Sequence, residues 1–237
     1  MLMMPIDVSD FERGTTSFER KQMPYATMLA LNETAGEVLE HQKDRMRVVF
    51  DRPTRFALNA FMVWRAKKSD LRAEIKERPS VSDRHFLKVQ ERGGQRPQTG
   101  LERLLDSRLA YGGQISAAIP ASGARTNVAG NWTPGERNQV LSAIQSQRDG
   151  AANTTEASRS RHKKRAQYFV PSEGSKLSAG VWKRSGKKKL SKVLHFTKSM
   201  PAYRKRLGFY DGAQDVFRAK FPVNFRKAFA KALASAR

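Results

Sequence analysis

Apolar positions divide the chain into stretches of clear rhythm separated by stretches with none. Met28, Leu31, Ala35, Val38, Leu39 and Met46 recur at steps of three, four and seven, the spacing of one helix face, and predict an amphipathic helix from Pro24 that ends before Phe50. Phe61-Met-Val-Trp-Arg65 is rich in β-branched and aromatic side chains and reads as a strand. Leu71-Arg-Ala-Glu-Ile-Lys76 fits either state. Its apolar residues alternate with charges at period two, which favours a second strand paired with the first. The glycines and Pro97 in 92–100 predict a loop, and apolar positions 101, 104, 105 and 109 a short helix after it.

Between Gly112 and Gly135 the Gly, Pro, Ser and Asn content predicts irregular structure. Thr133 or Pro134 can then start a helix that buries Val140, Leu141 and Ile144. Residues 146–166 carry too little apolar surface to offset the entropy of ordering, so a mobile basic loop is expected there. Strands follow at 166–170, 180–184 and 192–197, with a basic hairpin tip between the last two. Phe217, Phe221, Phe225, Phe229 and Leu233 repeat every four residues and predict a closing helix, which Pro222 should kink or restart near Lys220.

The expected fold is α+β: a small, mostly antiparallel sheet of about four strands packed against N- and C-terminal helices, with a long irregular middle region. The expected organisation is an N-terminal arm over 1–20, the first part of one domain over 21–145 with an irregular insertion, the loop 146–166, and the same domain's closing strands and helix over 167–237.

Charge changes this picture. The chain of 237 residues has a formal net charge of +23, and from Arg159 onward 22 Lys or Arg face only Glu173, Asp211 and Asp215, leaving the rest of the chain nearly balanced. Such a concentration favours a polyanion or an acidic surface as partner. Arg159, Arg161, Lys163, Lys164 and Arg165, with Lys187, Lys188 and Lys189, are the candidate contacts to DNA or acidic neighbours. Trp182, Phe217, Phe221, Phe225 and Phe229 are assigned to core or subunit packing, although interleaved aromatics such as Trp182 can also stack on bases.

Other chemistry finds little footing. With no Cys, thiolate ligands, disulfides and a cysteine nucleophile are excluded, which suits a reducing interior. His41, His85, His162 and His195 lack metal-ligand spacing, and neither phosphate-binding glycine motif is present. No apolar run reaches the roughly 20 residues that span a bilayer, and the N-terminus shows no secretory pattern. No catalytic residue, metal, cofactor, membrane contact or small-molecule substrate is therefore expected.

Four segments in fixed order carry a resemblance: Phe50-Asp-Arg-Pro-Thr-Arg-Phe-Ala-Leu-Asn-Ala60; Gln90-Glu-Arg-Gly-Gly-Gln-Arg-Pro97 with Leu101-Glu-Arg-Leu-Leu105; Gly130-Asn-Trp-Thr-Pro-Gly135 with Val140-Leu-Ser-Ala-Ile144; and Gly180-Val-Trp-Lys-Arg184 followed by Leu194 to Pro201, Phe209-Tyr210 and the helix Phe217 to Leu233. Together they resemble the phage minor tail protein Z family, the tail-completion proteins, over about residues 20–235. The resemblance implies a protein made in the host cytoplasm and resident in the virion, at the neck or upper tail. It would touch tail-tube, terminator or connector proteins, act without chemistry, and close a homo-oligomeric ring near packaged DNA. The family offers no catalytic residues to carry over. A small basic nucleic-acid-binding protein and a metal-dependent nuclease are the rival readings, the second disfavoured by the scarcity of carboxylates in the basic region.

Overall fold

A computed structural model of the chain describes residues 18–82, 86–109, 111–161, 167–172, 174–186 and 189–235. In chain order these form a π-helical turn (Phe18–Gln22), α1 (Met23–Val49), α2 (Arg55–Leu58), β1 (Phe61–Trp64), β2 (Glu74–Glu77), α3 (Pro79–Ser82), α4 (Phe86–Arg92), β3 (Gly94–Gln95), α5 (Gly100–Arg108) and β4 (Ala117–Pro120). There follow α6 (Pro134–Ala143), a 3-10 turn (Gly150–Ala152), α7 (Glu156–Arg161), β5 (Tyr168–Phe169), β6 (Gly180–Ser185), β7 (Lys189–Thr197), β8 (Ala202–Tyr203) and α8 (Ala213–Ser235). The fold class is α+β, as the sequence predicts. Every strand pairing is antiparallel, but the strands are divided among three sheets. Among the described residues no helix is long and apolar enough to cross a membrane.

The chain divides into two compact units, Met1–Leu87 with Arg206–Arg237, and Lys88–Lys205. The cuts fall at places the sequence pattern does not mark.

In the first unit α1 and α8 pack along their lengths. Ala26 and Ala30 meet Ala228 and Ala232, all four buried, and with so little side chain between them the two backbones come close. Phe221, Phe225 and Phe229 flank this seam half-buried. Buried Asn224 crosses it, its amide donating to Thr34 Oγ1 and Glu37 Oε2 at 3.1 Å each. α8 runs unbroken through Pro222, so the expected restart near Lys220 is absent. Pro222 and Arg218 both lie on the exposed side, where water can take the carbonyl that proline leaves without a donor. The hairpin β1–β2 pairs Phe61 with Glu77 through Trp64 with Glu74. It is tied to α1 by Asn32, whose amide donates to the Ala66 carbonyl (3.1 Å) and accepts from the Ala66 N–H (2.8 Å).

The second unit holds the larger sheet, in order β4-β7-β6-β5. Its inner face and the helices α5 and α6 enclose a core of Leu105, Ile115, Val140, Leu141, Val181, Val193, Leu194 and Phe196. The stretch expected to be irregular thus supplies an edge strand. β4 reads Ala-Ala-Ile-Pro, poor in strand formers, and ends on a proline tolerated because it pairs on one side only. Where a mobile loop is expected, the described part, 146–161, contains the 3-10 turn and α7. Hydrogen bonds rather than apolar burial shape it: Ser142 Oγ donates to the Ala152 carbonyl (2.8 Å), Gln145 Nε2 to the Thr154 carbonyl (2.7 Å), and the Gln147 N–H to Asn153 Oδ1 (3.1 Å).

Candidate nucleic-acid interface

The outer face of the larger sheet is set by one irregularity. Val181 stands opposite Leu194 and Trp182 opposite Lys192, so Val193 has no opposite number and the strand bulges. The extra residue lets two consecutive side chains, Val193 and Leu194, both enter the core, fully buried. It also brings Lys192 and His195, three apart, to the same outer face: their nitrogens Nζ and Nδ1 lie 2.6 Å apart. Gly180 makes this possible. Its φ is +147°, and a Cβ there would lie 2.0 Å from the Leu194 carbonyl oxygen.

Register then places Phe169, Trp182 and Lys192 in one line across three strands on that face. Lys192 Nζ lies 5.7 Å from the centre of the Trp182 ring, and the Arg184 guanidinium 5.4 Å from that of Phe169. On the opposite, core-facing side Lys183 Nζ lies 5.4 Å from the ring of buried Tyr168. Cations over ring faces are attracted by the ring quadrupole and are held in place without carboxylate partners. Lys192 Nζ also donates to Ser178 Oγ (2.8 Å), while the Trp182 indole N–H donates to the Ser178 carbonyl (2.9 Å). Partial burial lowers the Lys192 pKa from its ordinary value. His195, Leu190 and Ile119 stand exposed on the face. The ensemble presents flat rings with positive charge beside them, the two features by which proteins hold nucleic acid without reading its sequence.

Buried carboxylates fix the platform from beneath. Glu136 accepts from the Arg125 N–H (2.5 Å), the Trp132 indole (2.9 Å) and the Tyr168 hydroxyl (3.0 Å), and so anchors β5 to α6. Burial, with Glu136 adding its negative charge, pushes the Tyr168 hydroxyl up to about 12. Glu102 accepts both terminal nitrogens of Arg96 (2.7 and 2.6 Å), the Thr99 N–H and hydroxyl (2.7 and 2.9 Å) and the Ala118 N–H (3.0 Å). Its burial alone would raise its pKa, but Arg96 and these donors hold it down at about 2. Arg96 is raised in turn, chiefly by its bond to Glu102. Arg96 and Glu102 belong to one of the segments that carry the family resemblance, and Trp132 to another.

The residues selected from sequence fall in several places. Arg159 and Arg161 are exposed on α7; Arg159 Nη2 donates to the Ala143 carbonyl (2.8 Å) and Arg161 Nε to the Ala157 carbonyl (3.2 Å). Lys189 is exposed at the start of β7. Lys163, Lys164, Arg165, Lys187 and Lys188 lie outside the described residues, as do His85 and His162. Trp182, assigned to packing, is half-buried on the outer face and stands outside the buried core cluster. Phe217, Phe221, Phe225 and Phe229 form a ladder along α8 with centroid spacings of 5.1, 5.9 and 6.0 Å, and Phe217 remains 41% exposed.

Sequence reasoning missed Lys183, Arg184, Lys192 and Phe169, which form the cation–ring pairs, because it sought runs of charge rather than single charges alternating with aromatics. The Gly180 start of a strand was the available signal of a bulge. Among the described residues no group of three or more His, Asp or Glu side chains could hold a metal ion. No family model, no curated protein and no solved structure matches the chain.

Proposed function

We propose that the protein is a non-catalytic virion component of a tailed phage that completes the tail or joins it to the head, docking onto neighbouring subunits beside packaged DNA. The observation that carries the polyanion part is the pair of cations, Lys192 and Arg184, seated on the Trp182 and Phe169 rings of the outer sheet face, within a region where Lys and Arg outnumber acidic residues 22 to three. The tail assignment draws on the four ordered segments that resemble the tail-completion family. A ring of such subunits uses two different faces per subunit, closed by rotation. The partly exposed phenylalanine ladder of α8 is the apolar element offered to a neighbouring tail, terminator or connector protein, or to the next copy in the ring.

Electron microscopy of particles assembled without the gene tests the proposal: full heads separated from unattached or unstable tails are expected, and fully infectious particles would overturn it. The cationic face also suits a free-standing nucleic-acid-binding protein. Tight, sequence-selective duplex binding at physiological salt would favour that second reading; weak binding abolished by salt favours the virion role.

A further inference from the structure

α8 carries apolar residues on two sides. One side, centred on Asn224, Ala228 and Ala232, is buried against α1. With about 100° of turn per residue, Ala219, Val223, Arg226, Ala230 and Leu233 line up on the side turned away from that seam, and all five are exposed. Their steps of four, three, four and three are those of a seam by which one helix packs on another. Val223 is 38% and Leu233 50% exposed, so apolar surface is left in water on a helix whose α1 contact is already complete.

Charge decides what fits there. Arg226 stands within the stripe, Lys227 beside it and Lys231 one turn further on; all three are exposed, and none has an ion-pair partner among the described residues. Lys220 is paired with Glu37 of α1 at 3.6 Å, and the one carboxylate of α8, Asp215, sits in its first turn. A second copy laid on this stripe would set arginine and lysine against their own kind. A lipid surface would draw Arg226 into the acyl boundary, and alanines at 219 and 230 offer little bulk to insert. We infer that the outward face of α8 docks an acidic amphipathic helix of another protein. The partner's apolar stripe packs on Val223 and Leu233, Ala219 and Ala230 leave room for its larger side chains, and its carboxylates meet Arg226, Lys227 and Lys231. This face is not the phenylalanine ladder, whose Phe221, Phe225 and Phe229 flank the α1 seam, and it depends on neither the cation–ring sheet nor the tail assignment.

The test titrates the full-length protein, at physiological salt, with two labelled helical peptides that share leucine at the apolar heptad positions and differ in the flanking residue, glutamate or lysine. The glutamate peptide is expected to bind at least about tenfold more tightly, a difference of about 1.4 kcal/mol. A chain of net charge +23 attracts any acidic peptide, so two variants at exposed positions localise the contact. Arg226→Glu with Lys227→Glu is expected to weaken glutamate-peptide binding at least about tenfold, and Val223→Ser with Leu233→Ser, which changes no charge, by a similar factor. If either variant binds that peptide as wild type does, or the lysine peptide binds wild type equally well, the inference fails. It fails also if phosphatidylglycerol vesicles, or self-association in sedimentation, are lost in the Val223→Ser, Leu233→Ser variant, because a membrane or a second copy then holds the face.

Discussion

In the unit of residues 88–205 each of the two buried carboxylates is saturated: Glu102 by Arg96, Thr99 and Ala118, Glu136 by Arg125, Trp132 and Tyr168. In the unit of 1–87 and 206–237 the principal seam is alanine against alanine, and the buried amide of Gln42 lacks any partner beside a cavity. The first arrangement fixes geometry, because every charge has its donors and any displacement breaks several bonds together. The second has no such network, and its buried amide is left without partners. The difference teaches where to look for rigidity: a sheet that must hold rings and cations in register rests on satisfied charges, whereas the helix pair rests on close apolar packing beside an amide that nothing completes.

That contrast can be broken most forcefully at Glu102. Replacement by Ala strands the Arg96 guanidinium in a partly buried site and is expected to lower stability by about 3–5 kcal/mol, read by urea denaturation; a loss below about 1 kcal/mol would show that the network does not hold the unit.

Acid is the next lever. A carboxyl held at about 2 when folded, against an ordinary 4.5, adds stability in full above pH 4.5 and loses it as pH falls from there towards 2. The loss expected from Glu102 is about 3 kcal/mol, concentrated in the unit of residues 88–205, and hydrogen exchange at acidic pH should show α5 and β4 exchanging before α1 and α8. The reverse order would dissolve the distinction between the units.

On the other side, Ala228→Leu forces a large side chain into the seam with Ala26 and Ala30. It should cost about 1–3 kcal/mol by overpacking, visible as a lower Tm, with the cation–ring sheet left intact by its tryptophan fluorescence. Smallest is Tyr168→Phe, which removes one of the three donors to Glu136 and should cost about 1 kcal/mol in the same denaturation experiment.

Much of the architecture was legible where one physical pattern dominates. The helix of 23–49, the hairpin of 61–77, the helix starting at Pro134 and the strands near 180 and 192 follow from apolar periodicity. β4 was not legible, because an edge strand of Ala-Ala-Ile-Pro has no propensity signal and is held by its single pairing with β7. Nor was the order in 146–161, where hydroxyl and amide side chains do what apolar burial could not. For the site, charge counting leads to the third of the chain that holds the cation–ring pairs, but to its runs of charge rather than to those pairs. Runs such as 159–165 stand out in a sequence, whereas Lys192 joins His195 and Trp182 only through a bulge that hides in the register. Gln42 was equally invisible, since a glutamine on a helix shows neither its burial nor the absence of partners.

The central claim, that the cations of the sheet's outer face meet phosphate, is tested most directly by the salt dependence of DNA binding in wild type and in an Arg184→Ala, Lys192→Ala double variant of verified fold. If these side chains neutralise phosphates, the slope of log K against log salt should become shallower by about 1.4–1.8, on the order of 0.7–0.9 for each phosphate that the variant leaves unneutralised. An unchanged slope, with affinity reduced only slightly, would show that the charge of the chain acts elsewhere and would contradict the account.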